Sequence, residues 1–220
     1  MINTPFYSEE IFAEDVFKYM RNEQILFAGK IANEWMELAK DFHIKMVDYF
    51  NREELQILNA IPTSEGAIQL AMEKMDKTLH SSNVLVLGFG RIGKILSKML
   101  DGLGANVYVG SSDHTEIASI KSFCYEPVLL NKVEKYLPNM DLIINTIPAI
   151  ILNKEKLKKT NGDAIIIDLA SFPGGVDFDM AEKLGIESIW ALGLPGKVAP
   201  ISSASYIKET IYRMMDELEV

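Results

Sequence analysis

Ten consecutive residues, Val84-Leu85-Val86-Leu87-Gly88-Phe89-Gly90-Arg91-Ile92-Gly93, restrict the folds open to this chain more than any other stretch. An apolar run suited to a strand ends in the spacing G-x-G-x-x-G. Lys94-Ile95-Leu96-Ser97-Lys98-Met99-Leu100 then continues with helical patterning. Strand, glycine turn and helix in that order build a cradle for the pyrophosphate of a dinucleotide. Gly88 permits the tight turn, Gly90 lets the backbone approach the phosphates, and Gly93 lets the helix sit close on the strand. The unpaired amides and partial positive charge of the helix's first turn face the anion. The bland alternative is a glycine-rich β–α turn in a sheet that binds nothing.

From position 83 onward, short apolar runs at 84–87, 107–109, 142–145, 164–168 and 186–189 alternate with helical patterns at 92–103, 115–122, 154–159 and 178–184. Such alternation predicts an α/β fold, a doubly wound parallel sheet with helices on both faces and right-handed crossovers. Gly104, Gly162 and Gly185 punctuate the helix-to-strand seams. Before position 83 the pattern changes. Residues 25–28 and 44–47 read as short strands around a helix at 34–40. Residues 64–78 read as a longer helix capped by Pro62-Thr63-Ser64-Glu65, with Ile61, Ala67, Ile68, Leu70, Ala71 and Met75 as its apolar stripe. The expected organisation is a partial N-terminal α/β region over 1–78 that ends in a bridging helix. A Rossmann-type domain over 79–202 follows, and then a C-terminal helix over 203–220 that packs back on them.

An apolar share of 48%, a charged share of 24% and 220 residues suit an ordinary globular chain with a substantial core. The net charge of −9 argues against nucleic acid or an anionic membrane as the main partner. No apolar stretch is long enough for a membrane span, and residues 1–10 lack the basic and apolar regions of a secretory signal, so a cytoplasmic location is expected. The lone Cys124, beside Phe123 and Tyr125, excludes an internal disulfide and reads as a structural thiol. His43, His80 and His114 are scattered without ligand spacing, so no metal is expected.

An NAD-binding domain usually places a carboxylate at the tip of its second strand, against the adenosine ribose. Here that tip reads Val107-Tyr108-Val109-Gly110-Ser111-Ser112. Ser111 and Ser112 can donate to a 2′-phosphate and no carboxylate repels it, which leans toward NADP over NAD, although no Arg stands nearby as a clamp. Asp113-His114-Thr115-Glu116 fits a capping box for the next helix. Three further turns follow strands at their carboxyl ends, where open α/β sheets bind ligands. They are Asn145-Thr146-Ile147-Pro148-Ala149, Asp168-Leu169-Ala170-Ser171-Phe172-Pro173-Gly174-Gly175 and Gly193-Leu194-Pro195-Gly196-Lys197-Val198-Ala199-Pro200. The cofactor residues expected are therefore Gly88, Phe89, Gly90, Arg91, Ile92, Gly93, Ser111, Ser112, Thr146, Ile147, Pro148, Leu169 and Ala170.

These turns, with Val84 through Gly93 and Asn59-Ala60-Ile61-Pro62-Thr63-Ser64-Glu65-Gly66-Ala67-Ile68-Gln69, make the chain resemble the dipicolinate synthase A-subunit family of spore-forming bacteria. The resemblance runs from about Pro5 to the C-terminus. It implies an NAD(P)-dependent oxidoreductase that acts with the flavoprotein B subunit of dipicolinate synthase, as part of an oligomer in the mother cell. The implied reaction oxidises a dihydrodipicolinate-type dicarboxylate to pyridine-2,6-dicarboxylate. The chain departs from the family in two places. The family begins with additional strand–helix units before the position of Met1, and it usually carries a basic residue where this chain has Ser112.

For the implied reaction, the start of the helix at 64–78 offers Thr63, Ser64 and the amides of Glu65 and Gly66 to substrate carboxylates. Pro195 and Gly196 shape the loop that carries Lys197 as the cation. Asn59 can orient a polar group, and Glu65 can accept the proton if partly buried. Glu65 fits a helix cap equally well, and Lys197 a solvated surface position. Two other readings stay open. One is a non-catalytic nucleotide-binding scaffold or sensor. The other is a 2-hydroxyacid-dehydrogenase-like oxidoreductase, which needs an Arg for the substrate and a His paired with an acid. After Gly93 the only Arg is Arg213 and the only His is His114.

Overall fold

The computed structural model describes residues 11–21 and 23–220. Residues 1–10, read above as carrying no secretory signal, lie outside the described residues. Two compact units form, one from the described residues up to Gln56 with Ala204–Val220, the other from Ile57–Ser203.

In the first unit, α1 (Ala13–Phe17) precedes β1 (Ile25–Ala28), α2 (Asn33–Asp41) and β2 (Lys45–Asp48). The two strands pair in parallel, Ile25 opposite Lys45 through Ala28 opposite Asp48, with α2 as the crossover. Ala13, Phe17, Ala39 and Ile44 form its small core, with Leu26, Trp35, Phe42 and Met46 packed against it. The Asp48 carboxylate joins the two strand ends, accepting from the amides of Ile31 (3.0 Å) and Phe50 (2.8 Å).

The helix expected at 64–78 is longer and begins earlier: α3 spans Glu53–Lys74, with Pro62 inside it. The capping role read for Pro62-Thr63-Ser64-Glu65 is therefore corrected. Proline removes one i→i−4 bond from the helix. The two residues after it turn their hydroxyls back on the preceding turn: Thr63 Oγ1 donates to Asn59 O and Ser64 Oγ to Ala60 O, each at 2.7 Å. The carbonyl that loses its backbone donor to Pro62 is that of Leu58; the two hydroxyls bond instead to the carbonyls of the next two residues, the i−4 geometry Ser and Thr adopt inside a helix.

The second unit continues with β3 (Asn83–Leu87), α4 (Arg91–Gly102), β4 (Asn106–Ser111), α5 (His114–Ser122), β5 (Glu126–Leu129) and β6 (Leu142–Asn145). After these come α6 (Lys154–Leu157), β7 (Ile165–Asp168), α7 (Phe178–Lys183), β8 (Ser188–Trp190), α8 (Leu194–Val198) and α9 (Pro200–Glu217), whose residues beyond Ser203 belong to the first unit. The six strands are all parallel, in the order β5-β4-β3-β6-β7-β8. Alternate residues serve opposite faces. Val84, Val86, Leu142, Ile144, Ile165 and Ile167 pack with Ala67, Ala71, Leu96, Leu100 and Ile120 of α3, α4 and α5. Leu85, Leu87, Ile143 and Ile166 pack with Leu152, Leu157, Val176 and Ala181 on the other side. Burial on both faces is why the strands read as near-continuous apolar runs.

β5 is absent from the sequence reading because Pro127 interrupts it. An edge strand tolerates the lost donor, and β5 is the edge. Gly104 (φ 80°) and Gly185 (φ 73°) adopt the left-handed conformation after α4 and α7. Gly162, read the same way, stands apart from α6, which ends at Leu157.

At the amino-terminal edge of the sheet, Asp141 joins β3 to β6. Its carboxylate accepts from Asn83 N at 2.8 Å and pairs with Lys77 Nζ at 2.6 Å. Burial pushes this carboxyl up, but Lys77 and the Asn83 amide outweigh that and hold it below its ordinary value. A carboxyl lowered on folding contributes its full stability above its unfolded pKa of about 4, and loses it as pH falls through the folded value. Asp141→Ala should lower the unfolding free energy by about 1–2 kcal/mol at neutral pH. In urea melts that difference should shrink steadily as the pH is taken below about 4.

Candidate functional site

The two halves of the sheet diverge at β3 and β6, and the carboxyl ends of these strands form the switch point where open α/β sheets hold ligands. Gly88 leaves β3 with φ 101°, a conformation side chains rarely adopt, and a Cβ there would fall on Thr146 Oγ1. Gly93 lies in the first turn of α4, where a Cβ would overlap Gly88 O. These two glycines let turn, helix and neighbouring loop close on one another. Gly90 differs. It is exposed, is the N-cap of α4 with φ −78°, and has nothing within 4 Å of where a Cβ would stand. Its missing side chain leaves open space directly before the first turn of α4, the shape a pyrophosphate requires. Phe89 needs one correction. Its side chain is buried and packs edge-on against Phe123, the ring centroids 6.1 Å apart, so only its backbone belongs to the turn.

Across the switch point, Thr146 donates to Leu87 O from both its amide (2.9 Å) and its hydroxyl (2.8 Å), pinning the loop after β6 to the end of β3. The next two loops are joined by a pair that sequence reading placed in turns without a role, Asn145 and Asp168, both fully buried. Asn145 Nδ2 donates to Asp168 Oδ1 (2.8 Å) and to Ile147 O (2.9 Å), while Ile147 N donates to Asn145 Oδ1 (3.2 Å). The Asp168 carboxylate also accepts from Ala170 N (3.0 Å) and Gly175 N (2.6 Å). Trp190 at the end of β8 donates Nε1 to Ala170 O at 2.8 Å. Gly175 is forced by this approach, because a Cβ there would stand 2.7 Å from Asn145 Cγ. The signal available in the sequence was a polar residue closing each of two apolar strands. Around this clamp, Ile147 is half-buried, Pro148 is exposed, and Leu169 and Ala170 are buried.

At the tip of β4, Asp113 caps α5, accepting from Thr115 N (2.6 Å) and Glu116 N (3.1 Å). Those two amides, Glu116's first, hold its carboxyl below the ordinary range. The second half of the expected capping box closes through Ser111 instead. Asp113 N donates to Ser111 Oγ (3.0 Å), and Ser111 Oγ donates to Glu116 Oε2 (2.6 Å). Ser111 is buried and its single proton is given to a carboxylate, which corrects its reading as a free donor to a 2′-phosphate. Ser112 is exposed.

The substrate residues read near α3 need larger corrections. Thr63 and Ser64 spend their hydroxyl protons on their own helix, and the amides of Glu65 and Gly66 lie inside it. No helix start exists there to receive a carboxylate. Gly66 is a packing residue: a Cβ would stand 3.1 Å from Leu194 Cβ and 3.2 Å from Val198 Cγ1 of α8. Glu65 is exposed rather than partly buried. It lines a groove of about 600 Å³ with Met72, Met99 and Leu103, toward the end of α4 opposite the glycine turn. Asn59 is half-buried on α3, six positions from Glu65 and so about 120° around the helix. Pro195, Gly196 and Lys197 form the short helix α8 rather than an open loop, with Lys197 exposed and Ser203 Oγ donating to Pro195 O at 3.0 Å.

Residues 56–171 match the family described as D-isomer specific 2-hydroxyacid dehydrogenase, NAD binding domain. Over 221 aligned residues the chain is 36% identical to the dipicolinate synthase A subunit of Bacillus subtilis (strain 168), covering 100% of this chain and 74% of that one. It is similar to the crystal structure of the same enzyme's A subunit from Bacillus subtilis, with a TM-score of 0.91 at 35% identity over 99% of this chain and 74% of that one. The A subunit from Bacillus halodurans gives 0.90 at 33% identity over 96% and 73%. None of the described helices is long and apolar enough to cross a membrane.

Gly90→Val should keep the melting temperature of the parent, since its side chain enters open space, yet lose binding of NADH and NADPH in a fluorescence titration. Unchanged affinity would dissociate the glycine turn from the coenzyme. Asp168→Ala strands two amides and the Asn145 side chain in the interior. It should destabilise the fold by at least about 3 kcal/mol in denaturant melts.

Proposed function

Because this chain belongs to the dipicolinate synthase A-subunit family and carries the NAD-binding domain of the 2-hydroxyacid dehydrogenase family, we propose that it oxidises a dihydrodipicolinate-type ring to dipicolinate. In this reading it works with the flavoprotein B subunit in the mother cell of a sporulating bacterium. The observation that carries the reading is the open space at Gly90, before the first turn of α4 and at the switch point of a parallel sheet. When bound, NAD(P)+ supplies the nicotinamide that accepts a hydride; the ring also loses one proton to a base or to water and becomes aromatic.

Aromatisation lowers the barrier, so the chain's task is chiefly alignment. The amides of Arg91, Ile92 and Gly93 and the backbone of Gly88, Phe89 and Gly90 hold the pyrophosphate. Thr146, Ile147 and Pro148, tied to β3 and to the Asn145–Asp168 pair, form the wall against the nicotinamide ribose, and Leu169 and Ala170 extend that wall. Lys197, exposed on α8 beyond β8, is the cation proposed for a substrate carboxylate.

A mixture of the chain, the flavoprotein subunit, a dihydrodipicolinate-type substrate and NAD or NADP should reduce the coenzyme, followed by its absorbance. Coenzyme binding without turnover in that mixture would instead favour a nucleotide-binding scaffold. Lys197→Ala should raise KM for the substrate about tenfold, which is ~1.4 kcal/mol, while leaving the Kd for the coenzyme unchanged. Equal loss of both, or of neither, would remove Lys197 from the substrate site.

A further inference from the structure

We propose that Glu116, held by Ser111 at the tip of β4, selects NAD over NADP by occupying the position a 2′-phosphate would need. The inference rests on the nucleotide reading above and goes beyond it, because the glycine turn contacts parts that both coenzymes share.

In a dinucleotide-binding sheet the tip of the second strand faces the adenosine ribose, and the charge there decides between a hydroxyl and a phosphate. Here the second strand of the domain is β4, and its last residue, Ser111, carries no charge. Sequence alone therefore suggests a site tolerant of phosphate. The fold reverses this. The first turn of α5 brings the Glu116 carboxylate to within 2.6 Å of Ser111 Oγ, so a negative charge stands beside the strand tip although the residue lies five positions further along. Three observations fix it there. Ser111 is buried and donates its only hydroxyl proton to Glu116. The same oxygen accepts from Asp113 N, which orients the hydroxyl toward the helix. The Glu116 amide is bonded to the Asp113 carboxylate, which sets the backbone of the turn.

A carboxylate so placed accepts a hydrogen bond from a ribose 2′-hydroxyl and repels a 2′-phosphate. Asp113, exposed one turn earlier, adds to the negative field. Along the strand and helix from 106 to 122 the cationic side chains available to compensate are Lys121, in the last turn of α5, and His114 in its first. Glu116 is thus a binding residue for the ribose hydroxyl, and Ser111 is a positioning residue acting through it.

NADH and NADPH differ only at the 2′ position, so their titrations into the full-length chain, followed by nicotinamide fluorescence, isolate this contact. NADH should bind at least about tenfold more tightly than NADPH. Glu116→Gln keeps an acceptor for Ser111 but removes the charge, and should narrow the ratio chiefly by tightening NADPH. Ser111→Ala should narrow it less, by releasing the carboxylate. Asp113→Asn preserves the helix cap and should leave most of the ratio in place. Melting temperatures near the parent's confirm that the variants are folded. NADPH binding as tight as NADH, or a ratio unmoved by Glu116→Gln, would overturn the assignment while leaving the glycine turn as the nucleotide site. Failure of both coenzymes to bind would overturn the assignment together with the reading on which it rests.

Discussion

A buried carboxylate at the end of β7 holds the ligand edge of this sheet together. Asp168 is removed from water, and burying such a group is tolerable only when protein donors replace its hydration. Its donors come from the side chain of Asn145 and from the amides of Ala170 and Gly175, so one group ties the loop after β6 to the loop after β7. Trp190 extends the tie to the end of β8 through Ala170 O. Loops otherwise lack regular hydrogen bonding, and any ligand held at this edge needs a rigid wall to be aligned. The Asp168–Asn145 pair supplies that rigidity without placing a charge in the space before the glycine turn.

The glycine turn solves a different problem by close approach. Gly88 and Gly93 allow backbone, helix and Thr146 to come together. Gly90 instead keeps a volume clear in front of the first turn of α4. The edge of the sheet therefore combines open space before the first turn of α4, loops tied down by buried hydrogen bonds and, at the tip of β4, a carboxylate carried by a helix rather than by the strand. Each depends on main-chain geometry more than on the chemistry of any one side chain.

Much of the fold was legible because a parallel sheet covered on both faces needs continuous apolar strands, and β3, β6 and β7 show them plainly. β5 was hidden by Pro127, acceptable only because that strand is at the edge. α3 was misplaced because Pro62-Thr63-Ser64-Glu65 carries the residue types of a helix start. The same hydroxyls that cap a first turn also bond back to carbonyls in a helix interior, and local composition does not distinguish the two. The glycine turn was legible for the same reason as the strands: its spacing reflects backbone constraints. The surroundings of Glu65 and Gly66 were not, since helices from distant parts of the chain supply them.

What the sequence by itself determined is the periodic, backbone-driven part: a doubly wound sheet, the glycine turn at its switch point and the cap of α5 by Asp113. Those follow from short-range sterics and hydrogen bonding, which neighbouring residues decide. Only the tertiary structure decided that Asp168 and Asn145, 23 positions apart, meet as one buried pair. It likewise decided that Gly66 is a packing contact and that Ser111 gives its proton to Glu116. Those outcomes depend on which elements the folded chain brings side by side, and no local pattern encodes that distance.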